Sequence, residues 1–283
     1  MLDAGSVSEL AILAEAHGWD GFSFTEHPAP TAKWLETGGH QSLDPFVALG
    51  YVAAVTKQLK LLTYLAVLPY RNPLLLAKSA ATVDKLSNGR FILGVGAGYL
   101  KAEYFALGVD FEERNVLFDE ALDVLPLHWS GEPFNYQGTH FSCRDTIGRP
   151  HTVQQPIPIW IGGNASLTLR RVAERAQGWM PLIGPEDIFS TVRSPSMTTV
   201  DDVIKRLETL KQLAGERFAS LDIVLPYTDS SIFNTAHDVE RHRDTFGRFS
   251  ELGTTWMVLS GPSGPHPKSA DFIGEFGEMY LGA

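Results

Sequence analysis

The sequence predicts an α/β fold, a (β/α)8 barrel whose first strand is missing. Three observations carry that expectation. Strand and helix patterns alternate seven times, one further helix precedes the first strand, and 283 residues suit one barrel of this type. A doubly wound open sheet is the alternative. No linker and no internal repeat interrupts the pattern, so one domain is expected over residues 1–283.

Each element has its own local reason. Ser6 and Glu9 read as a capping box, with Leu10, Leu13, Ala14 and His17 at helical spacing and Gly18 closing the helix. A short apolar strand, Gly21–Thr25, stops at Glu26-His27, and Pro28 and Pro30 prevent its continuation. Asp44-Pro45 opens a helix to Thr56, since aspartate caps and proline suits the first helical position. "LKLLTYLAVLP" (Leu59–Pro69) reads as one strand buried on both faces. Asn72-Pro73 opens the next helix, which ends at Ser87–Gly89, and "RFILGVGAG" (Arg90–Gly98) is a strand ending in glycines. Helices follow at Leu100–Ala106 and Glu112–Trp129.

Residues 130–155 lack a period and are rich in Gly, Pro and aromatics, so they read as an insertion with a hairpin around Phe134–Phe141. The rhythm then resumes. "IPIWIGG", "GWMPLIG", "LDIVLPY" and "TTWMVLSG" are strands, and helices lie at Ala165–Ala176, Val200–Leu213, Ala236–Leu252 and Lys268–Leu281.

Composition excludes several classes of function. A formal charge of -10 argues against binding nucleic acid or an anionic membrane surface. Cys143 is the sole cysteine, so no intrachain disulfide forms and a reducing compartment is expected. No apolar run is long enough to span a bilayer and the start resembles no secretory signal, so a soluble, cytoplasmic protein is expected. There is no H-x-H, H-E-x-x-H or G-x-S-x-G, which disfavours a zinc or serine hydrolase; no metal site is expected.

Barrel chemistry sits at the C-terminal ends of the strands. Those ends supply Glu26-His27, Leu68–Tyr70, Gly96–Tyr99, Gly162–Asn164, Pro181-Leu182, Tyr227 and Ser260-Gly261. His27 reads as a neutral imidazole able to move a proton, or as a histidine that merely caps a strand. "GVGAG" (Gly94–Gly98) departs from the dinucleotide fingerprint, because Tyr99 takes the last glycine's place. It reads as a floor where a flat ring lies on backbone, or as a close helix–strand turn. In "IWIGGNAS" two glycines precede a helix opened by Asn164, Ala165 and Ser166, an arrangement suited to a phosphate, or an ordinary capped βα turn. Arg71, just past a strand end, reads as a partner for a ligand carboxylate or phosphate or, the favoured reading, as a solvated loop arginine.

From Leu10 to Pro181 the residues resemble the bacterial-luciferase-like superfamily of flavin- and deazaflavin-dependent oxidoreductases. The resemblance rests on "AEAHGWDGFSFTEH", "TYLAVLPYRNPLLLAKSAATVDKLSNGRFILGVGAGY", "FEERNVLFDEALDVLPLHWSGEP" and "PIPIWIGGN". "GVGAGY" and "IWIGGN" are most like the branch assigned to coenzyme F420. The resemblance implies a (β/α)8 barrel, a homodimer, and a cofactor ring over the barrel mouth. It implies that His27, following the acidic Glu26, acts as acid or base beside that ring. Leu65 and Ala66 fall where the family has a bulge, often with a non-proline cis peptide, that props up the ring. Gly96, Ala97, Gly98 and Tyr99 match the turn that contacts ring and tail; Tyr99 stands where some relatives carry glutamate. Gly162, Gly163, Asn164 and Ala165 match the phosphate loop.

The implied chemistry is hydride transfer between reduced F420 and a carbon of a small organic substrate. The alternatives are an FMN-dependent monooxygenase using reduced flavin and O2, supplied by a separate reductase, and a barrel relic without catalysis. Relatives begin with a strand before the first helix, whereas Met1–Gly5 is short and polar. Either the chain begins inside a longer natural protein or the gap is closed another way. Specificity is expected from Ala29–Leu43, Cys143–Gln155 and Gly184–Thr199.

Overall fold

The computed structural model describes residues 3–262 and 266–282. In chain order the elements begin with α1 (Ala4–Ala16), β1 (Gly21–Phe24), α2 (Ala32–Glu36), α3 (Pro45–Val55), β2 (Lys60–Thr63) and β3 (Ala66–Val67). Next come α4 (Pro73–Leu86), β4 (Phe91–Gly96), α5 (Lys101–Ala106), α6 (Arg114–Trp129), β5 (Phe134–Gln137) and β6 (Ser142–Thr146). The remainder is β7 (Ile159–Gly162), α7 (Ser166–Arg175), β8 (Gly178–Met180), α8 (Glu186–Val192), α9 (Val200–Ala214), β9 (Asp222–Tyr227), α10 (Val239–Glu251), β10 (Trp256–Leu259) and α11 (His266–Phe276). None of the described helices is long and apolar enough to cross a membrane. Contacts cluster into two compact units: Ser23–Ile159, and the described residues of Met1–Phe22 with Trp160–Ala283.

In Ser23–Ile159, β2 and β3 both run parallel to β4, pairing Leu61 with Phe91, Leu62 with Ile92, Ala66 with Val95 and Val67 with Gly96. The Tyr64 N–H donates to the Phe24 carbonyl at 2.8 Å, which ties the end of β1 to this group. The run read as one strand, Leu59–Pro69, is therefore two strands, divided at a cis peptide between Tyr64 and Leu65. The caps at Asp44-Pro45 and Asn72-Pro73 form as their sequences require, each side chain accepting backbone N–H bonds from the first turn.

The motif "DKLSNGR" is a structural joint. Arg90 is buried, and its guanidinium donates to the carbonyls of Ser87, Leu59, Ala53 and Thr56 and to the Thr56 hydroxyl, at 2.8–3.1 Å. Ala53 and Thr56 lie at the C-terminal end of α3, where carbonyls lack helical partners and a cation is favoured. Asp84, fully buried, accepts from the backbone N–H groups of Val153 and Gln154 and from the Gln154 amide. It pins the end of the insertion to α4. The hairpin of that insertion spans β5 and β6 and so runs further than Phe134–Phe141. Glu120 of α6 receives the N–H groups of Thr139, His140 and Phe141 at its tip.

In the other unit, β7, β8, β9 and β10 pair in sequence, all parallel, and among the described residues β10 is hydrogen-bonded to β9 only. Helix α1 packs against α11. Phe272 and Phe276 of α11 join Tyr227 and Ile232 in a core that Trp19 helps to cover. Nearby, His242 is fully buried with Nδ1 against the Tyr227 hydroxyl and Nε2 against Ser231. The capping box expected at Ser6 and Glu9 is not what starts α1. Asp3 caps the helix instead, its carboxylate accepting from the Ser6 N–H at 2.9 Å. Met1 and Leu2, part of the segment judged too short for a first strand, lie outside the described residues.

Arg90→Met would leave the α3 carbonyls and Thr56 without their donor. The expected result is a loss of about 3 kcal/mol, seen as a lower urea midpoint at unchanged slope. An unchanged midpoint would remove Arg90 from this role.

Candidate active site

The site is built where β1 ends. Glu26 is 4% exposed, and both of its oxygens are engaged. Oε2 accepts from the Val67 N–H at 2.7 Å, and Oε1 accepts from Arg71 Nε at 3.0 Å and Nη2 at 2.5 Å. Arg71 Nη2 also reaches Asp44 at 2.6 Å, and the guanidinium lies 5.0 Å above the Phe46 ring. This corrects the reading of Arg71 as a solvated loop residue: it joins the ends of β1, β3 and the cap of α3. Burial raises the Glu26 carboxyl above its ordinary range, with the Arg71 charge and the Val67 N–H pulling the other way. At Asp44 burial also pushes upward, but Arg71 and the N–H groups of Val47 and Phe46 outweigh it and hold the carboxyl low.

His27 follows in the chain and faces a second carboxylate. Its Nδ1 lies 3.3 Å from Glu103 Oε2, and its backbone N–H donates to the Ser42 hydroxyl at 2.9 Å. Glu103 is 1% exposed and also accepts from the Tyr70 hydroxyl at 3.0 Å and the Ala29 N–H at 3.2 Å. A carboxylate only accepts, so the bond requires a proton on Nδ1 and leaves Nε2 as the working nitrogen. Trp34 of α2 packs against the imidazole in a tilted contact at 4.4 Å between centroids, while His40 and Tyr99 approach edge-on at 5.1 and 6.2 Å. Burial, and the nearby His27, hold the His40 imidazole below its ordinary range. Burial likewise raises the Tyr70 and Tyr99 phenols, so both stay neutral hydrogen-bonding groups.

Sequence reasoning missed Glu103 and Ser42, and named Tyr70 only as a strand-end residue without its partner Glu103. Glu103 lies 76 positions from His27, so no local spacing links them. The usable signal was an acidic residue in the first turn of a helix that follows a strand end.

The glycines of "GVGAG" have a packing explanation. A Cβ on Gly96 would fall 2.6 Å from the Leu65 side chain, and one on Gly98 would fall 2.7 Å from Val67. Gly98 also has φ +70°. The space freed by these two glycines is therefore filled by the chain itself, which favours the close-turn reading over a bare ring floor. The Tyr104 hydroxyl donates to the Ala97 carbonyl and fixes the turn from behind. What stays half-buried is Leu65, Ala97, Gly98 and Tyr99, beside the fully buried Ala66. His27, 11% exposed at its side chain, stands within contact of Tyr99. This surface is largely apolar, with the His27 imidazole and the Tyr99 phenol as its polar groups, a chemistry that fits a flat heteroaromatic ring.

The Gly162–Ala165 turn belongs to the other unit. Gly163 has φ +117°, which glycine alone adopts readily, and its N–H donates to Met180. Asn164 is fully buried, accepting from the Leu182 N–H and donating to the carbonyls of Leu182 and Pro195. Its side chain therefore shapes the turn and has no free polar atom to offer a ligand. Ala165 caps α7 without a side-chain bond, and the first turn carries no acidic residue. The donors suited to an anion are thus the N–H groups of that first turn.

Comparison with known proteins fits this arrangement. The family model for luciferase-like monooxygenases matches residues 2–194, and the chain belongs to that family of oxidoreductases. An uncharacterized protein of Mycobacterium tuberculosis is 29% identical over 276 residues, covering 93% of this chain and 89% of its own length. The F420-dependent glucose-6-phosphate dehydrogenase of Gordonia bronchialis is 27% identical over 286 residues, covering 92% and 81%. Among solved structures, a monooxygenase from Streptomyces bottropensis aligns with TM-score 0.76 at 22% identity, over 99% of this chain and 94% of its own. An F420-dependent secondary alcohol dehydrogenase in complex with an F420–acetone adduct aligns with TM-score 0.76 at 18% identity, over 99% and 95%. The fold is that of the luciferase-like (β/α)8 barrels.

Glu103→Leu should abolish the preference of His27 for a proton on Nδ1. Imidazole 15N shifts report this directly: one tautomer is expected in the native protein and a mixture in the variant. The same mixture in both would show that Glu103 does not orient His27.

Proposed function

We propose that this chain is a deazaflavin (F420)-dependent oxidoreductase transferring a hydride between reduced F420 and a carbon of a small organic substrate. The observation that carries the reading is the His27–Glu103 pair, which leaves Nε2 as the working nitrogen of a ring that meets Tyr99 edge-on. The F420-dependent relative from Gordonia supports the choice of cofactor. When bound, F420 supplies the hydride donor or acceptor.

The chain's own residues do the rest. His27 Nε2 gives or takes a proton at the substrate, with Glu103 holding the ring in place. Leu65 and Ala66 support the ring, Ala97 and Tyr99 border it, and Gly96 and Gly98 act through the packing of Leu65 and Val67. Trp34 shields His27 from water. Glu26 serves as a positioning residue for the strand ends, since its oxygens are engaged. The Gly162–Ala165 turn, through Gly162, Gly163, Asn164 and Ala165, presents the α7 N-terminus to a phosphate. The lone Cys143 supports a reducing, cytoplasmic setting. A separate reductase or dehydrogenase would return the cofactor to its working redox state.

A second reading, an FMN-dependent monooxygenase consuming O2, has the likeness to the Streptomyces monooxygenase behind it. Fluorescence-quenching titration separates the two. Saturable binding of F420 is expected, and His27→Ala should cut turnover about 10²–10⁴-fold with cofactor affinity retained. Tight FMN binding with O2 uptake would replace the first reading by the second. Binding of neither cofactor would leave a barrel without redox chemistry.

A further inference from the structure

Two imidazoles meet beside the end of β1, and each has one nitrogen anchored. His27 is anchored at Nδ1 by Glu103. His40 is anchored at Nε2, which lies 2.9 Å from the Thr25 hydroxyl. The other nitrogen of each ring has no hydrogen bond among the described residues. The rings meet edge to face, 5.1 Å apart between centroids with 86° between their planes. Trp34 packs against both, at 4.4 Å from His27 and 5.6 Å from His40.

The sequence "GGH" (Gly38–His40) builds this contact. Gly38 has φ +105°, a conformation that glycine adopts at little cost. A Cβ on Gly39 would fall 2.3 Å from the Trp34 ring, so only a glycine lets that ring lie against the backbone here. The Gly39 N–H donates to the Trp34 carbonyl at 2.9 Å, and His40 follows at once. The two histidines differ in access to water. His27 keeps 11% of its side chain exposed, whereas His40 is exposed.

An acid or base in a closed site must exchange one proton with solvent in each turnover, and a shielded His27 is poorly placed to do so alone. We infer that His40 is a proton relay between solvent and His27, an inference that rests on the proposed acid–base role of His27. His40 takes a proton from water at Nδ1 and becomes an imidazolium. That proton passes to the bare Nε2 of His27, directly or over one water, and His40 returns to its neutral form. His27, now the cation, gives the proton to the substrate, so one proton enters from water and one leaves. In the opposite direction of reaction the same steps run backwards. Burial and the neighbouring His27 both disfavour charge on His40, so it holds a proton only briefly. The titratable groups that bear on the pair are His27 itself on His40, and Glu103 and Tyr99 on His27. His40 acts through His27 and is a positioning residue of the proton path.

Nitrogen NMR on the full chain without cofactor, in weakly buffered solution, tests this. His40→Phe keeps a ring against Trp34 and His27 but carries no proton. The rate at which His27 exchanges its proton, read by 15N relaxation dispersion at its own titration midpoint, should fall at least about tenfold in this variant. Added imidazole should restore the rate, which it would not do for a loss of packing. His40→Gln, able to keep the bond to Thr25, should behave alike and decides the matter if His40→Phe loses its fold. His27→Asn should move the titration of His40 to higher pH, because a like charge and part of the burial are removed. An unchanged exchange rate in the folded His40 variants, a slow rate that imidazole does not restore, or a His40 midpoint unmoved by His27→Asn overturns the relay. Failure of the chain to take F420 leaves these results standing, and the relay can fail in a chain that does bind F420, so the two readings are tested separately.

Discussion

The carboxylate of Glu26 is the point on which the site depends. It is a buried anion whose oxygens take one backbone N–H from β3 and the guanidinium of Arg71, which in turn reaches the cap of α3. Three chain segments that end in the same place are thereby fixed relative to one another. Such a pair gives little net stability compared with apolar side chains of the same volume, yet removing one partner typically costs about 3–5 kcal/mol. Arg71 keeps 27% of its side chain exposed, so the lower end of that range applies here. What the clamp contributes is position. His27 is the next residue, and its backbone is tied to Ser42 while its ring is tied to Glu103.

Two sets of polar contacts therefore do different jobs within Ser23–Ile159. Around Arg90 and Asp84 the partners are mostly backbone groups, and the result is a rigid joint between α3, α4 and the insertion. Around His27 the partners are side chains well apart in the chain, and one ring nitrogen has no hydrogen bond among the described residues. The first set carries the most recognisable sequence motif and the second carries the chemistry. Membership of a family is read most easily from residues that hold its fold, and those residues say little about the reaction.

The sequence made most of the fold legible because its signals are local. Asp44-Pro45 and Asn72-Pro73 cap helices wherever they occur, and alternating apolar runs and amphipathic segments need no long-range information. The failures have physical reasons. Asp3 competes with Ser6 for the start of α1, and only the geometry decides which side chain reaches the N–H. A continuous apolar run gives no sign of the break at Tyr64–Leu65, which only the family resemblance implied, with its bulge and cis peptide at Leu65 and Ala66. The five-residue α2 buries none of its residues, so it left no periodic trace. In the site, His27 and Glu26 could be found from their place at a strand end. Glu103, the bond that Tyr70 makes to it and the true role of Arg71 could not, since the partners lie 27 to 76 positions away. The glycines at 96 and 98 were visible, but what fills the space they free was not.

The most direct test is a structure of the chain with oxidised F420 bound. The account predicts the ring against Leu65 and Ala66, with His27 Nε2 within about 3.2 Å of a polar atom of ring or substrate and Nδ1 still on Glu103. A ring bound away from His27, or an imidazole turned so that Nδ1 faces it, would contradict the account.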